Sequence, residues 1–435
     1  VTPHVEPDHR PSPTFSDLVR VFLTIGLLSF GGPAGQIAMM HRMLVDERGW
    51  IDEKRYLSAL NFCMLLPGPE AMQLATYVGW RLHGVAGGLA AGLLFVLPGA
   101  AVMLVLSLVY AQFGNVPIVE AVFFGIKAAV LAIVVEALLR VARRALKGPV
   151  DWGIAGAAFA MIFAFGVPFP VIVLAAGLFG TWRGLSLPSP VVTSANVPVR
   201  LTDTVTTVAI WLAIWILPLL VVVSVFGRAH VLSQSAWFFS KLAVVTFGGA
   251  YAVLAYMAQD VVEHYKWLQA GEMLDGLGLA ETTPGPLILV TQFVGTVAAF
   301  RGGGGVPWVM GVLGALVALW ATFAPCFLWV FAGAPYVERL NSAPRLSSAL
   351  RAITACVVGV ILNLTVWFAL HVLFARVEDV TWWPLKLPIP DPTSLSVPSL
   401  GLGILAVVLL FGLHRGVLTT LAVCSAVSVG LAFVR

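Results

Sequence analysis

Leu66-Pro67-Gly68-Pro69-Glu70 interrupts one apolar segment, and 217 residues further on Thr283-Pro284-Gly285-Pro286-Leu287 interrupts another. Proline removes a backbone donor and crowds the preceding turn, whereas glycine takes positive φ at little cost, so each triplet breaks its helix. The same separation places Phe30-Gly31-Gly32 on Phe247-Gly248-Gly249 and Trp50 on Trp267. Val78-Gly79 meets Val294-Gly295 at 216, and past an insertion holding Gly302 to Gly305 the separation becomes 227. In that register Gly84-Val85 meets Gly311-Val312, Gly87 meets Gly314, Pro98 meets Pro325, Ala129-Val130 meets Cys356-Val357 and Glu136 meets Asn363. Pairing that resumes after an insertion marks a fused duplication.

The composition says where such a chain resides. Of 435 residues, 59% are apolar and 11% charged, against about 25% charged in soluble domains. This excludes an ordinary cytosolic enzyme, a disordered chain and a nucleic-acid binder. Apolar runs reach the ~20 residues that cross a bilayer. Without short alternating strands to close a barrel, the spans are helices. The expected fold is an all-α polytopic membrane protein of two homologous repeats with broken or re-entrant helices.

A polar tail at 1–14 carries four prolines and five ionisable side chains, which suits an unstructured leader rather than a cleavable signal. The first transmembrane repeat is expected at 15–181, a linker with one connecting span at 182–231, and the second repeat at 232–435. Inside the first, a helix from Phe15 to Met40 breaks at Gly31-Gly32-Pro33, an amphipathic stretch covers His41 to Lys54, and a helix runs to Leu66. A short segment to Leu82 and spans from Gly84 to Gln112 and Val116 to Arg140 follow. Short apolar pieces at 153–165 and 168–181 close it, echoed by 401–412 and 416–433. Gly184 to Val199 is Pro/Ser-rich and reads as a connection. One span between two copies, about Thr204 to Phe226, inserts them in opposite orientations, the arrangement of secondary transporters. Parallel copies are the alternative. Arg140, Arg143, Arg144 and Lys147 place their end of the span on the cytoplasmic side.

The breaks also define the candidate chemistry. Unwound backbone at membrane depth needs cover from protein or a wet cavity. Pro33, Pro69 and Pro286 suit the first position of half-helices, whose N-termini act as about half a positive charge and attract oxyanions. Gly31, Gly32, Gly68, Gly248, Gly249 and Gly285 are then backbone donors, flanked by Pro67 and Pro284. Hydroxyls at Ser29, Thr246, Thr282 and Thr283 and amides at Gln73 and Gln292 complete a donor shell that fits a tetrahedral dianion. The plainer reading is four matched kinks that help helices pack.

Ionisable residues inside a membrane cost about 2.5–3.5 kcal/mol each and tend to mark function. Glu70, Arg81 and Lys127 are candidates for charge balance or coupling. Glu70 follows Pro69, where it either caps the half-helix or carries a coupled proton, and its counterpart is Leu287. Lys127 is mid-span, with Glu120 seven residues away for a structural ion pair. Arg81 and its counterpart Arg301 suit either an anion vestibule or interfacial anchoring. Glu136 reaches Arg140 at i+4. Trp382-Trp383 reads as an interfacial belt.

No phosphate loop, HExxH or GxSxG occurs, so the reading is a non-enzyme with no ATPase of its own, driven by a gradient. Cys63, Cys326, Cys356 and Cys424 stand singly, as core residues. Neither a metal site nor a cofactor is expected.

Phe30-Gly31-Gly32-Pro33, Gln36, Trp50, Leu66-Pro67-Gly68-Pro69-Glu70, Gln73-Leu74-Ala75-Thr76-Tyr77-Val78-Gly79 and Leu97-Pro98-Gly99 follow one another in an order that closely resembles the chromate ion transporter family. Phe247-Gly248-Gly249-Ala250-Tyr251 and Thr283-Pro284-Gly285-Pro286 resemble the C-terminal half of its two-domain members, so the likeness covers about 15–140 and 235–370. It implies a multi-pass protein of the bacterial cytoplasmic (inner) membrane, with oppositely oriented halves, that exports chromate and confers chromate resistance. Sulfate, an isosteric dianion, is the implied competitor. The function expected is secondary active oxyanion export by alternating access, as in an antiporter, with the lipid bilayer as surroundings and a homodimer left open. An anion channel or a membrane sensor for oxyanions is the alternative, and an intramembrane enzyme a more distant one.

Overall fold

Thr14 starts the first helix: its hydroxyl accepts from the Asp17 N–H and the Asp17 carboxylate accepts from the Thr14 N–H, a capping box. The computed structural model describes residues 13–30, 32–114, 116–185, 201–247, 250–337, 344–382 and 385–434. Most of the polar tail, most of the Pro/Ser-rich connection and Trp383 lie outside them.

α1, Phe15–Leu28, stops at Ser29, and α2, Gly32–His41, restarts beyond the first break. α3, Glu53–Leu65, is capped by Asp52 and ends at Pro67-Gly68-Pro69. α4, Glu70–Phe113, is two helices in succession, because His83 and Gly84 depart from helical φ/ψ. α5, Pro117–Ala145, leads to a hairpin of short apolar helices, α6, Pro149–Phe163, and α7, Phe169–Gly184. α8, Leu201–Phe226, connects to α9, Val231–Val245, and α10, Ala250–Gln259. α11, Ala270–Thr282, ends at the second Pro-Gly-Pro, followed by one 3₁₀ turn and α12, Val290–Gly302. α13, Pro307–Gly333, and α14, Pro344–Leu373, precede a second short hairpin, α15, Val397–Val407, and α16, Val417–Val434. Among the described residues five helices are long and apolar enough to cross a membrane: α4, α5, α8, α13 with its extension to Tyr336, and α14. The chain is an all-α polytopic membrane protein.

Two details depart from the sequence reading. Pro69 and Pro286 occupy the N-cap, in extended backbone, so the helical turns begin one residue later at Glu70 and Leu287. A proline ring fixes φ near −65°, which suits an extended cap as well as a first turn. The segment around Trp382 forms an antiparallel hairpin, β1, Val377–Trp382, with β2, Leu385–Pro390, in register from Val377↔Pro390 to Trp382↔Leu385. Prolines 388 and 390 lack the donors for further pairing, so the ribbon stays two-stranded.

Helices divide into two layers. One holds the broken helices: α1 packs on α4, α9 on α13, and α12 on both α4 and α13. Within it a Cβ on Gly79 would strike the Gly87 carbonyl, and one on Gly295 would stand 2.7 Å from the Gly314 carbonyl. Those pairs match in the registers of the repeat, so the same close backbone approach occurs twice.

The second layer is exchanged between halves. α14 packs along α6 and α7, whereas α5 packs along α15 and α16. Ser428 Oγ donates to the Ala121 carbonyl at 2.6 Å across the latter contact. Asp151, buried at the start of α6, receives Arg351 of α14 through both oxygens, at 3.2 and 2.7 Å.

Candidate functional site: the crossed helix breaks

Gly68 has φ +122° and Gly285 φ +94°, values that a side chain strains to adopt. The first-half loop is shaped by its surroundings too, since a Cβ at Gly68 would stand 2.8 Å from Gln73 Nε2 and 2.9 Å from Cys326 Sγ. The second-half loop lies against Gly99 on α4, where a Cβ would strike the Pro284 carbonyl. Gly99 and Cys326 are matched positions, each following the proline inside a long helix. Each Pro-Gly-Pro loop therefore rests on the proline-bearing helix of the other half.

The backbone completes the crossing. Gly68 N–H donates to the Thr246 carbonyl at 2.9 Å, and Gly285 N–H donates to the Ser29 carbonyl at 2.9 Å. Ser29 and Thr246 are the C-caps of α1 and α9, with similar φ/ψ of −75°/67° and −77°/85°. Gln36 of α2 donates through Nε2 to the Gly285 carbonyl at 2.6 Å and to the Ser29 carbonyl at 3.3 Å. Gln73 holds the Pro67 carbonyl at 2.7 Å and Gln292 the Ala100 carbonyl at 2.9 Å. The Oε1 atoms of all three glutamines are buried without a hydrogen-bond partner among the described residues.

The described donors fall at two crossings, Gly68, Gln73 and Thr246 at one and Gly285 and Ser29 at the other, and many are occupied. The hydroxyls of Ser29, Thr246, Thr282 and Thr283 donate one turn back, to Ile25, Leu242 and, for both threonines of the second loop, Leu279. Local back-bonding uses the one proton that a hydroxyl can donate, so these side chains offer no donor to an anion. The amides of Gly68 and Gly285 are committed to the opposite half. Donors of the breaks that remain are the first-turn N–H groups, which no α-helix can satisfy internally. Those of α2 begin at Gly32, φ +74°, where an added Cβ would meet nothing within 4 Å. Those of α4 begin at Glu70, half-buried like Pro67, whereas Thr283 to Val290 are buried throughout. Gly31, Gly248 and Gly249 lie outside the described residues.

The charged candidates separate. Arg81 is exposed, two residues before the His83 break. Lys127 pairs with Asp275 of α11 at 3.3 Å rather than with Glu120. Seven residues of helix span about 10 Å, and Glu120 instead lines an open cavity of about 320 Å³ beside Pro117 and Pro398. Arg301 is held by Glu272 through two bonds, at 3.0 and 2.7 Å. Glu136 and Arg140 form the expected i+4 pair.

Gln36 and Asp275 are among the buried polar residues that the sequence reading did not place at the interior, as are Asp151 and Glu281. Asp275 had a signal, a lone carboxylate between Leu274 and Leu277 in the helix that leads into a break.

The sequence model of the family described as "Chromate transporter" matches residues 16–181 and 233–431. The chain is 34% identical over 375 residues to the chromate transport protein of Pseudomonas aeruginosa, covering 85% of each chain. It is 29% identical to the chromate transport protein of Cupriavidus metallidurans, covering 81% of this chain and 82% of the relative. To the probable chromate transport protein of Synechococcus elongatus it is 27% identical over 399 residues, 90% of this chain and 95% of the relative. No solved structure matches it.

Proposed function

The chain belongs to the chromate transporter family, and from that premise we propose that it is a secondary active transporter that exports chromate across the bacterial cytoplasmic membrane. Two inverted repeats, at 15–181 and 232–435, carry the site, and export by alternating access gives chromate resistance. The observation that carries this reading is the reciprocal pair of backbone bonds, Gly68 to Thr246 and Gly285 to Ser29. Each half supplies one loop and one helix end to the other, so a single place near the centre is built from both.

The Gly68 and Gly285 amides satisfy the Thr246 and Ser29 carbonyls at the ends of α9 and α1. The anion enters at the accessible first-half break, against the first-turn amides of α2 and α4, where the dipole ends favour two negative charges. Glu70 places its own carboxyl in the first turn of α4, so the dianion displaces it or meets it protonated. Gln36 and Gln73 fix the Gly285 and Pro67 loop carbonyls that would otherwise repel the guest, and Gln292 ties α12 to the Ala100 carbonyl of α4. Sulfate, equal in charge and shape, competes.

Motion follows the layers rather than the halves. Because α5 and α14 each hold the other half's hairpin, the α5–α7 and α14–α16 layer stays together while the broken helices move against it.

Purified protein in proteoliposomes, with membrane potential and pH gradient imposed separately, tests the function. Saturable chromate flux inhibited by sulfate is expected. Unitary currents without saturation would replace the carrier by a channel, and an absence of chromate or sulfate movement would end the proposal.

A further inference from the structure

Asp275 is 2% exposed, on α11, which packs against α5, α14 and α16 of the second layer and against α12 and α4 of the first. Its Oδ2 accepts from the Tyr110 hydroxyl of α4 at 2.8 Å and meets Lys127 Nζ of α5 at 3.3 Å. Its Oδ1 is buried with no hydrogen-bond partner among the described residues. Lys127 retains 27% exposure of its side chain, so its ammonium keeps a route to water when the pair opens. Gly271, one turn back on α11, gives that ammonium its room: a Cβ there would stand 3.1 Å from Nζ.

The cluster has no counterpart in the register of the repeat. The repeat register places Ser58 opposite Asp275 and Thr354 opposite Lys127, so neither partner has a charged counterpart. Around it, α12 contributes Arg301, bound to Glu272, which stands three residues before Asp275 on its own helix. The 3₁₀ turn beside α11 is Leu287–Leu289, and α16 carries no charged residue. The charged residues of α14 are Arg345, Arg351 and His371, placed toward its ends, with Arg351 engaged by Asp151. Glu272 and Arg301 line an open cavity of about 840 Å³, which brings water to within a turn of Asp275.

We infer that Asp275 is the proton-carrying carboxylate of the transport cycle, ionised while Lys127 faces it and protonated when the layers separate. This rests on the reading of the chain as a carrier whose broken-helix layer moves. A buried carboxylate without its cation carries a large desolvation cost and is relieved by taking a proton. Separating α11 from α5 removes the cation. A proton from the cavity then binds Asp275, forming one O–H bond, while Lys127 keeps its ammonium in water. Return of the layers brings Lys127 back to Asp275 and releases that proton to water on the opposite side of the membrane, so each cycle that moves an anion also carries one proton across.

The test uses full-length protein in proteoliposomes, with chromate as the probe at zero membrane potential and two opposed pH gradients. Wild type is expected to differ several-fold in flux between the gradients. Asp275→Asn should carry chromate at equal rates under both, and Lys127→Gln/Asp275→Asn, which removes both charges, should do the same where the single variant folds poorly. Chromate counterflow at uniform pH supplies the folding control. Flux of either variant that keeps the wild-type gradient response, or a response abolished by Glu70→Gln and not by Asp275→Asn, overturns the inference. Wild-type protein that moves chromate with no gradient response overturns it while leaving the carrier reading intact. Wild-type protein that moves no chromate removes both.

Discussion

The amide of Gly68 and the carbonyl of Thr246 are 2.9 Å apart, although 178 residues and the whole linker separate them in the chain. Its counterpart, Gly285 to Ser29, has the same length. Neither loop can shift without releasing a helix end of the opposite half, which makes the two breaks one mechanical unit.

Gly68→Val and Gly285→Val place a β-branched residue at positive φ, at a cost of roughly 1–3 kcal/mol each. Both should lower chromate flux at least tenfold in proteoliposomes, while detergent-extracted protein keeps a cooperative melt at reduced temperature. Wild-type flux in either variant would remove the crossed loops from the site.

Gln36→Leu removes the donor that serves the Gly285 and Ser29 carbonyls. An orphaned buried acceptor costs about 1–3 kcal/mol. Faster amide exchange across Thr283 to Leu289 is the expected signature, read by mass spectrometry; unchanged exchange there would mean that the loop holds itself.

Arg351→Ala strips Asp151 of two charge-assisted bonds but leaves those from the Lys147 and Gly148 amides. The loss should fall at about 1–3 kcal/mol and lower the melting temperature, with Arg351→Lys recovering part of it. An equal effect of Ala and Lys would argue against the fork geometry.

His41 ties α2 to α3 through Glu53, with Asp46 on its other nitrogen. The Glu53 hydrogen bond comes first in raising its pKa above the ordinary 6.5. The folded state therefore binds this proton more tightly, so the stabilisation is complete below 6.5 and fades as pH rises through the folded value. Amide exchange over 42–52 should quicken as pH is raised through that range, after correction for intrinsic rates. His41→Gln should abolish the change.

The duplicated punctuation was enough to locate the ends of the helices that precede the matched motifs, because proline and glycine act on their own backbone. The ends of α1, α3 and α11 fall within a residue or two of where the motifs place them. What the motifs did not carry was the direction of the hydrogen bonds. Ser29 and Thr246 attract notice as side chains, yet it is their carbonyls that cross between halves, a choice made by tertiary packing. Lys127 was legible as a buried cation, but Asp275 lies 148 positions away and only the fold sets them face to face. The β-hairpin escaped for a different reason: Val377 to Trp382 contains Glu378 and Asp379, which hide its alternation.

Exchange of the short hairpins also has a consequence for biosynthesis. α5 leaves the ribosome long before α15 and α16, whose backbone and serine hydroxyls it needs, so the early half waits in the membrane with an uncovered flank. Maturation is then governed by the late arrival of a distant segment. Two separately translated fragments, divided within the connection between α7 and α8, would assemble by completing each other.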